Sequence, residues 1–529
     1  MSAILSADDL NDFISPGVAC IKPVETPDAD ADIAGEVEIQ IDENGDPLEI
    51  SKIDGKVSKL SPAQILLADC LACSGCITSA EEVLVAQHSH DQLLKALRDG
   101  SKSFVVSISH QSRSSLAHAY GYTVEQMDRL LISFFQNQLG FKFVVGTALG
   151  RKLSLLQESH QLMQRKSGAE RSPVLSSICP GWVLYAEKTH PYVLPYMSTV
   201  KSAQQITGCI LKSLAAQELN VSREDIYHLS IMPCFDKKLE SARPETSEGL
   251  SSPDVDCVLT AKELVNLIET SEYSLIPEKG LDALPNAPIM DLYKACAPSS
   301  WPFKELSWSN DSGSQSGGYA HNYLTIYKNH LLHKDPNLYK EDNFSIITLE
   351  GKNADIYEMR LMHNDEKMAS AAVVNGFRNI QNLVRRLKPV PSGTKTTKTN
   401  PLAARRRARL GGKLSAPASA AEETADASKC DYVEIMACPN GCINGGGQIS
   451  SPEPSLEKEW LTQVKDVYEQ IEIVDLASHG NANLVDLVLS WSVKFSDEAG
   501  ISQSRLYHTS FTQVEKPTDP NSILLGAKW

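Results

Sequence analysis

The sequence predicts an α/β protein with a mainly parallel sheet, because two kinds of segment alternate along the chain. Short apolar runs alternate with longer segments whose apolar residues recur at helical spacing. Five such runs and four helical segments lie between residues 103 and 269. Strands that alternate with helices form βαβ units, in which helices flank a parallel sheet.

The composition indicates a folded intracellular protein with more than one domain or lobe. The chain has 529 residues and a formal net charge of −16, which argues against a general nucleic-acid binder. No apolar run approaches the roughly 18 residues of a membrane span, and the first residues lack the pattern of a signal peptide. Twelve cysteines are too sparse for a secreted disulfide scaffold. We expect neither a membrane nor a specific nucleic acid as a partner.

The first elements lie in an acidic, turn-rich N-terminal region. Short strands are predicted at residues 36–41 and 48–50, and a helix at residues 79–98 that Gly100 ends. Five further strands are predicted at residues 103–109, 141–146, 173–178, 226–232 and 256–259. The helices between and after them are predicted at residues 123–138, 149–163, 199–219 and 261–269.

Later elements lie on both sides of a predicted insertion. A helix opens at a glycine turn at residues 316–319, and strands at 344–349 and 354–361 precede a helix at 370–387. Residues 389–429 are rich in Pro, Ser, Thr, Ala and basic residues, which predicts a disordered insertion. Helices near residues 454–468 and 484–490 follow. The chain thus divides at residues 1–100, 101–388, 389–429 and 430–529.

Three closely spaced cysteines indicate a metal centre near the N terminus. Cys70, Cys73 and Cys76 supply three thiolates at the spacing that wraps one face of a [4Fe–4S] cluster. A remote cysteine supplies the fourth ligand of such a cluster, and Cys20, flanked by prolines, is the candidate. Zinc is the alternative, although its usual thiolate pattern has two separated pairs.

Four other cysteines form a second candidate set. Cys179, Cys234 and Cys438 each come directly after a predicted strand, and ligands bind where parallel strands end. Cys442 follows Cys438 in a turn that continues into three consecutive glycines, which allow close approach of backbone to a bulky group. We interpret this set as a second cluster site, with a structural thiol loop as the alternative for Cys438 and Cys442. Lys237 or nearby amides could tune the potential of the cluster.

The remaining candidates have simpler interpretations. Cys209, Cys257, Cys296 and Cys430 are predicted to be core residues. His110, His160 and His190 have no metal-type spacing and are predicted to be polar or core histidines. The basic run at residues 405–409 resembles a nuclear-import or nucleic-acid patch, and a solvated linker is the alternative.

Three segments resemble the signature segments of iron-only ([FeFe]) hydrogenases, in the same order: residues 176–182, 232–240 and 436–448. Within that superfamily, the chain is more similar to the eukaryotic hydrogenase-like cytosolic iron–sulfur assembly factors, the nuclear prelamin A recognition factor-like family. The resemblance implies a two-lobed domain with parallel sheets flanked by helices, plus a small N-terminal cluster domain. It also implies two [4Fe–4S] clusters.

The same resemblance implies the residues of each site. The first cluster would be held by Cys20, Cys70, Cys73 and Cys76. The second, between two lobes, would be held by Cys179, Cys234, Cys438 and Cys442, with Lys237, Gly445 and Gly446 around it.

One departure from the hydrogenase pattern bears on activity. Hydrogenases carry a proton-relay cysteine directly before the first ligand, where this chain has Ile178. An aliphatic side chain cannot carry a proton, so we expect no catalytic residue and no hydrogenase activity, although Lys237 matches a lysine of the hydrogenase pocket. A hydrogenase and a zinc-stabilised interaction module remain the alternatives.

The family resemblance implies a role in cluster transfer. Such proteins pass [4Fe–4S] clusters from an early scaffold NTPase complex to a late targeting complex, which contains a β-propeller subunit, for cytosolic and nuclear apoproteins. The terminal Trp529 resembles a docking tail for that targeting complex, although Lys528 departs from the usual acidic residue; a frayed end is the alternative. A cytoplasmic location follows, with some nuclear protein left open by the run at residues 405–409.

Overall fold

The structure is a computed structural model, and it describes most of the chain after residue 87. The described parts are three strands within residues 37–59 and residues 88–167, 173–243, 252–278, 280–284, 286–389, 424–476 and 482–514. Predictions for Cys20, Cys70, Cys73, Cys76, residues 79–87, residues 405–409 and Trp529 lie outside them. The chain forms two compact units, Met1–Cys70 and Leu71–Trp529.

The strands and helices are named here in chain order. The strands are β1 (Val37–Ile41), β2 (Pro47–Ser51), β3 (Val57–Lys59), β4 (Ser103–Ile108), β5 (Phe143–Gly146), β6 (Val174–Leu175), β7 (Ile226–Met232), β8 (Cys257–Thr260), β9 (Phe344–Glu350), β10 (Ile356–His363), β11 (Glu366–Asn375) and β12 (Tyr432–Met436). The helices are α1 (His90–Asp99), α2 (His110–Tyr120), α3 (Val124–Ser133), α4 (Ala148–Ser167), α5 (Pro180–Thr189), α6 (Ala203–Leu219), α7 (Asp236–Ser241), α8 (Ala261–Thr270), α9 (Ile289–Ala295), α10 (Tyr319–Lys334), α11 (Phe377–Leu387), α12 (Glu457–Glu469), α13 (Ala482–Ala499) and α14 (Gln503–Tyr507).

The first unit contains an antiparallel sheet of three strands in the order β1-β2-β3. The second unit contains two larger sheets. One is parallel throughout and has the strand order β5-β4-β7-β8. The other has the order β6-β12-β11-β10-β9, in which β6, β12 and β11 are parallel and β10 and β9 complete an antiparallel edge.

Each sheet of the second unit has its own core. Successive residues of β4 point to opposite faces, so Val106 packs in one apolar cluster and Val105 in another. Helices cover both faces, as a parallel sheet requires. The five-stranded sheet packs in a third cluster around Trp182 and Tyr323. The predicted α/β class with parallel sheets flanked by helices is therefore confirmed.

Several element predictions need correction. Residues 370–375 were expected to be helical but complete β11, because their alanines and valines are buried between β10 and β12; Gly376, with a φ of 83°, separates them from α11. The helix predicted at residues 199–219 begins at Ala203, because Ser202 has extended backbone at the N-cap position. The strand predicted at residues 173–178 pairs only at Val174 and Leu175.

Two further features were not foreseen from sequence. The helix α2 is polar yet buried over most of its length, including Ser112, Arg113 and Ser114, so no apolar stripe marked it. Residues 424–429, which were assigned to the insertion, belong to the folded part: Ala427 is buried, and Asp426 pairs with Arg386. Among the described residues, no helix combines the length and the apolar character needed to cross a membrane.

Candidate metal centre

The candidate centre lies where strands of the two larger sheets end. Cys234 comes two residues after β7 of the four-stranded sheet. Cys438 comes two residues after β12 of the five-stranded sheet, and Cys179 follows β6, which pairs with β12. Cys179 also occupies the N-cap position of α5, where Pro180 begins the helix. The geometry therefore brings cysteines from two separate sheets to one place, as the strand-end rule predicts.

Backbone amides surround the sulfur atoms. The amide of Ala437 donates a 3.3 Å hydrogen bond to Cys179 Sγ, and the Gly446 amide donates to the Cys438 thiol. The Cys442 amide donates to Ser316 Oγ at 3.0 Å, and its Sγ lies 3.5 Å from Met436 Sδ. Hydrogen bonds to sulfur stabilise a thiolate and raise the potential of a cluster that it ligates.

Burial dominates the acidity of these thiols. Burial, with a smaller contribution from the nearby Cys442, raises the pKa of Cys179 to about 12. Burial also raises the pKa of Cys234 and of Cys438 well above the usual value, with contributions from the other cysteines of the set. The four thiols therefore sense one another, and they stay protonated at neutral pH unless a metal group supplies positive charge.

A buried carboxyl lies beside the cysteines. Asp236, at the start of α7, is 4 % exposed, and burial raises its pKa to about 7, against the opposing effect of Lys237. Its charge would disfavour the thiolates of Cys179, Cys234 and Cys438. Sequence reasoning missed this residue, although its place two positions after Cys234 is a usable signal.

The glycine triplet packs closely against protein backbone at Gly445. A Cβ on Gly445 would overlap with the carbonyl oxygen of Pro233, next to Cys234. At Gly445, the close contact is therefore between two segments of the protein backbone. Gly446 is exposed and contributes its amide to Cys438. The triplet joins the Cys438–Cys442 loop to the end of β7.

A small cavity adjoins the centre. Its volume is about 70 Å³, and its lining includes Ile178, Gln204, Lys237 and Cys442. The Lys237 ammonium binds Glu240 and the carbonyl oxygen of Ile178, and its charge also lowers the pKa of Cys442, although burial outweighs that effect. Lys237 is thus close enough to the centre for its charge to act on Cys442.

The donor set fits an iron–sulfur cluster. In the described part of the chain, no three His, Cys, Asp or Glu side chains are grouped as the ligands of a single metal ion. The thiolates around a [4Fe–4S] cube bind different corners and lie farther apart than the ligands of one tetrahedral ion. Cys179 is buried and Cys234, Cys438 and Cys442 are partly buried. Neighbouring thiols, two of which accept amide hydrogen bonds, fit the ligation of an iron–sulfur cluster.

The other cysteines in the described part of the chain lie in the apolar cores. Cys209, Cys257, Cys296 and Cys430 are each at most 1 % exposed and pack in the clusters that flank the sheets.

Comparisons with known proteins agree with this geometry. Residues 102–446 match the family described as "Iron only hydrogenase large subunit, C-terminal domain". Relatives named cytosolic Fe-S cluster assembly factor NAR1 are 62% identical in Scheffersomyces stipitis, 60% in Debaryomyces hansenii and 39% in Saccharomyces cerevisiae, each over 100% of both chains. The chain belongs to this family. The resemblance to hydrogenase-like assembly factors is thereby confirmed.

Solved structures show the fold of this NAR1-family chain. A variant of the [FeFe]-hydrogenase HydA1 from Chlamydomonas reinhardtii has a TM-score of 0.55 and 20% identity, over 80% of this chain and 99% of that chain. A structure titled for stepwise H-cluster assembly in HydA(deltaEFG) has a TM-score of 0.54 and 20% identity over the same shares. The predicted hydrogenase-like fold is confirmed, while the small N-terminal domain lies largely outside the described residues.

The family also bears on activity and cofactors. The relatives carry the name of an assembly factor and not of a hydrogenase, in agreement with the prediction of a hydrogenase-like protein that is not a hydrogenase. The NAR1-family chain is therefore a cytosolic Fe–S cluster assembly factor that uses iron–sulfur chemistry. The role of Ile178 and the individual ligands stay predictions.

Proposed function

We propose that this NAR1-family protein carries two [4Fe–4S] clusters and helps to pass [4Fe–4S] clusters to cytosolic and nuclear apoproteins. The observation that carries the proposal is the convergence of four buried or partly buried cysteines, three of which follow the ends of strands in two sheets. The ligands of the deep cluster would be Cys179, Cys234, Cys438 and Cys442. The coupled pKa shifts of these thiols support this assignment.

The deep cluster would have a structural role. Cys234 follows a strand of one sheet, and Cys179 and Cys438 follow strands of the other. Their common ligation would therefore cross-link the two lobes. Burial of Cys179, which is 8 % exposed, would oppose release of this cluster. The exchangeable cluster would then be the one on Cys20, Cys70, Cys73 and Cys76, because a remote fourth ligand is easier to displace.

The partners follow from the family resemblance. We propose that an early scaffold NTPase complex supplies clusters and that a late targeting complex with a β-propeller subunit receives them in the cytoplasm. The aromatic side chain and free carboxylate of Trp529 would dock in a small pocket of the targeting complex.

Metal analysis of the anaerobically purified full chain tests the proposal. Two [4Fe–4S] clusters predict about eight iron and about eight acid-labile sulfide per chain, and two signals in EPR after dithionite reduction. Extra iron with infrared bands of bound CO and CN⁻ would instead indicate a hydrogenase. Zinc without sulfide would indicate a zinc-stabilised interaction module.

A second experiment tests the carrier role proposed for the N-terminal cluster. Cys20→Ala and Cys73→Ala should each lower iron loading and client maturation, whereas Cys296→Ala, which removes a buried core thiol, should leave both unchanged. Unaltered iron and client maturation in Cys20→Ala and Cys73→Ala would overturn the carrier role of the N-terminal site.

A further inference from the structure

A basic groove lies on the second unit between α11, the β9–β10 turn and residues 425–428. Its volume is about 630 Å³. Four cationic residues line it, and no carboxylate is among the described residues of the lining; the four are Lys352, Arg378, Arg385 and Arg386. This local excess of positive charge contrasts with the net charge of −16 of the whole chain.

The pattern of α11 produces one wall of the groove. Ile380, Leu383 and Val384 are buried against the five-stranded sheet. Arg378 and Arg385 are exposed and lie seven positions apart, which places them on one helix face. Since the core needs only the apolar face, packing does not explain the run of cations on the other.

Two of the cations are available to a ligand. Lys352 and Arg378 are exposed and make no ion pair with any described residue. Arg386 is different, since it pairs with Asp426 at 2.7 Å. Lys352 and Arg378 are therefore the two cations on which the proposed binding rests.

Amide side chains accompany the charges. Asn353, Asn379 and Asn382 also line the groove. The side chains of Asn353 and Asn379 hydrogen-bond to each other, whereas the Asn382 side chain is exposed. A side-chain amide offers both donors and an acceptor, which is the complement of a peptide backbone. We propose that the groove binds an acidic, extended segment of a partner protein, through ion pairs with Lys352 and Arg378 and a contact from the Asn382 amide to its backbone.

Charge favours this occupant over two others. The net charge of −16 repels a long polyanion such as a nucleic acid, whereas a short acidic segment senses mainly the groove. Residues 390–423 lie in the sequence between Arg386 and Ala425, which both line the groove, but they are themselves basic, with seven Lys and Arg against two Glu. The positive charge of these residues repels the cations of the groove.

The groove connects to the candidate metal centre. Asp355, in the turn that carries Lys352 and Asn353, accepts a 2.6 Å hydrogen bond from the amide of Asn440. Asn440 lies between Cys438 and Cys442. A docked segment would therefore contact the same turn that supports the cysteine loop. This inference goes beyond the proposed function and needs no bound cluster.

Fluorescence polarisation of a labelled peptide tests the inference on the full-length protein. The probe is a fluorescein-labelled decapeptide of alternating Asp and Ser, at low ionic strength. Lys352→Glu/Arg378→Glu should weaken its binding about tenfold or more, and added salt should weaken it in the unmodified protein. The matched control is Lys334→Glu/Lys340→Glu, which changes the same charge at exposed lysines outside the groove and should alter binding less than about twofold.

Three results would overturn the inference. The first is equal binding, or an equal loss of binding, in the groove and control variants. The second is tighter binding of a single-stranded DNA of equal charge, with loss in the groove variant, which would identify a nucleic-acid site. The third is much tighter peptide binding after deletion of residues 392–421, which would show that the chain's own segment occupies the groove. Melting temperatures equal to that of the unmodified protein verify that the variants are folded.

Discussion

The Lys237 ammonium donates a 3.0 Å hydrogen bond to the carbonyl oxygen of Ile178. It also reaches Oε1 and Oε2 of Glu240, at 3.0 and 2.9 Å. Because an ammonium has three donors, these contacts engage Lys237 fully within the protein. The lysine thus holds α7 against the segment that precedes Cys179, and it does not present a free cation to the cavity beside Cys442.

Restoring a thiol at position 178 should therefore not create hydrogenase activity. In Ile178→Cys, the backbone carbonyl that binds Lys237 is unchanged, and Glu240 still neutralises the ammonium. We expect hydrogen evolution from reduced methyl viologen to remain at the level of the unmodified protein. Evolution clearly above that level would mean that the relay residue alone separates this protein from hydrogenases.

A buried ion pair should contribute strongly to the stability of the four-stranded lobe. Arg113 Nε donates to Asp128 Oδ1 at 2.7 Å, Tyr293 Oη donates to Asp128 Oδ2 at 2.6 Å, and the carboxylate is fully buried. Asp128→Ala would leave a buried guanidinium without its partner, which should lower the free energy of unfolding by about 3–5 kcal/mol. Urea denaturation followed by tryptophan fluorescence measures this change.

An exposed pair on the same helix provides the control. Glu125 pairs with Arg129 at 2.9 Å on α3, and the Glu125 side chain is 55% exposed. Glu125→Ala should change the free energy of unfolding by less than about 1 kcal/mol. Equal effects of Glu125→Ala and Asp128→Ala would contradict the importance of burial.

The contact between Gly445 and Pro233 should be sensitive to a single methyl group. In Gly445→Ala the new Cβ would overlap with the Pro233 carbonyl oxygen and push the Cys438–Cys442 loop away from Cys234. We expect a loss of about 1–3 kcal/mol in stability and lower iron content. Gly446→Ala is the neighbouring control, since Gly446 is exposed and keeps its amide. Full iron content in Gly445→Ala would show that the loop adapts.

Two buried groups should shift stability with pH in opposite directions. Burial lowers the pKa of His228 to about 4, so its contribution is present above the unfolded value of 6.5 and is lost as pH falls through 4. Burial raises the pKa of Glu158 to about 7, so its contribution is full below 4.5 and is lost as pH rises through 7. Each shift corresponds to at most roughly 3 kcal/mol.

Urea midpoints of His228→Gln and Glu158→Gln between pH 4 and 7.5 separate the two contributions. The advantage of the unmodified protein over His228→Gln should shrink as the pH falls from about 6.5 towards about 4. Its advantage over Glu158→Gln should grow as the pH falls from about 7 to about 4.5. Parallel pH profiles for the unmodified protein and both variants would show that neither pKa is shifted.

Much of the fold can be predicted from the sequence, because strands such as β4 and β7 are continuous apolar runs between turn residues. It predicted residues 370–375 wrongly because two alanines and two valines also suit a helix, and only burial between neighbouring strands decides the outcome. The helix α2 was missed for the opposite reason. Its serines and Arg113 are buried through partners on other elements, so its sequence lacks an apolar period.

The candidate site also has some residues that the sequence predicts and others that it does not. The proximity of Cys179, Cys234 and Cys438 could be predicted because the ends of parallel strands leave a local signal in the sequence. The roles of Asp236 and Ser316 depend on contacts that only folding creates, such as the bond from the Cys442 amide to Ser316 Oγ, 126 positions away. Residues that tune a site through tertiary contacts leave little trace in the local pattern.

Metal analysis and EPR of Cys234→Ser test the central claim most directly, since Cys234 is the candidate ligand of the deep site from the four-stranded sheet. The matched control is Cys257→Ser, which alters a fully buried thiol in β8 of that sheet. The account predicts that Cys234→Ser loses about four iron and one of two reduced-state signals, while Cys257→Ser keeps both. Full iron and both signals in Cys234→Ser would contradict a cluster between the two lobes.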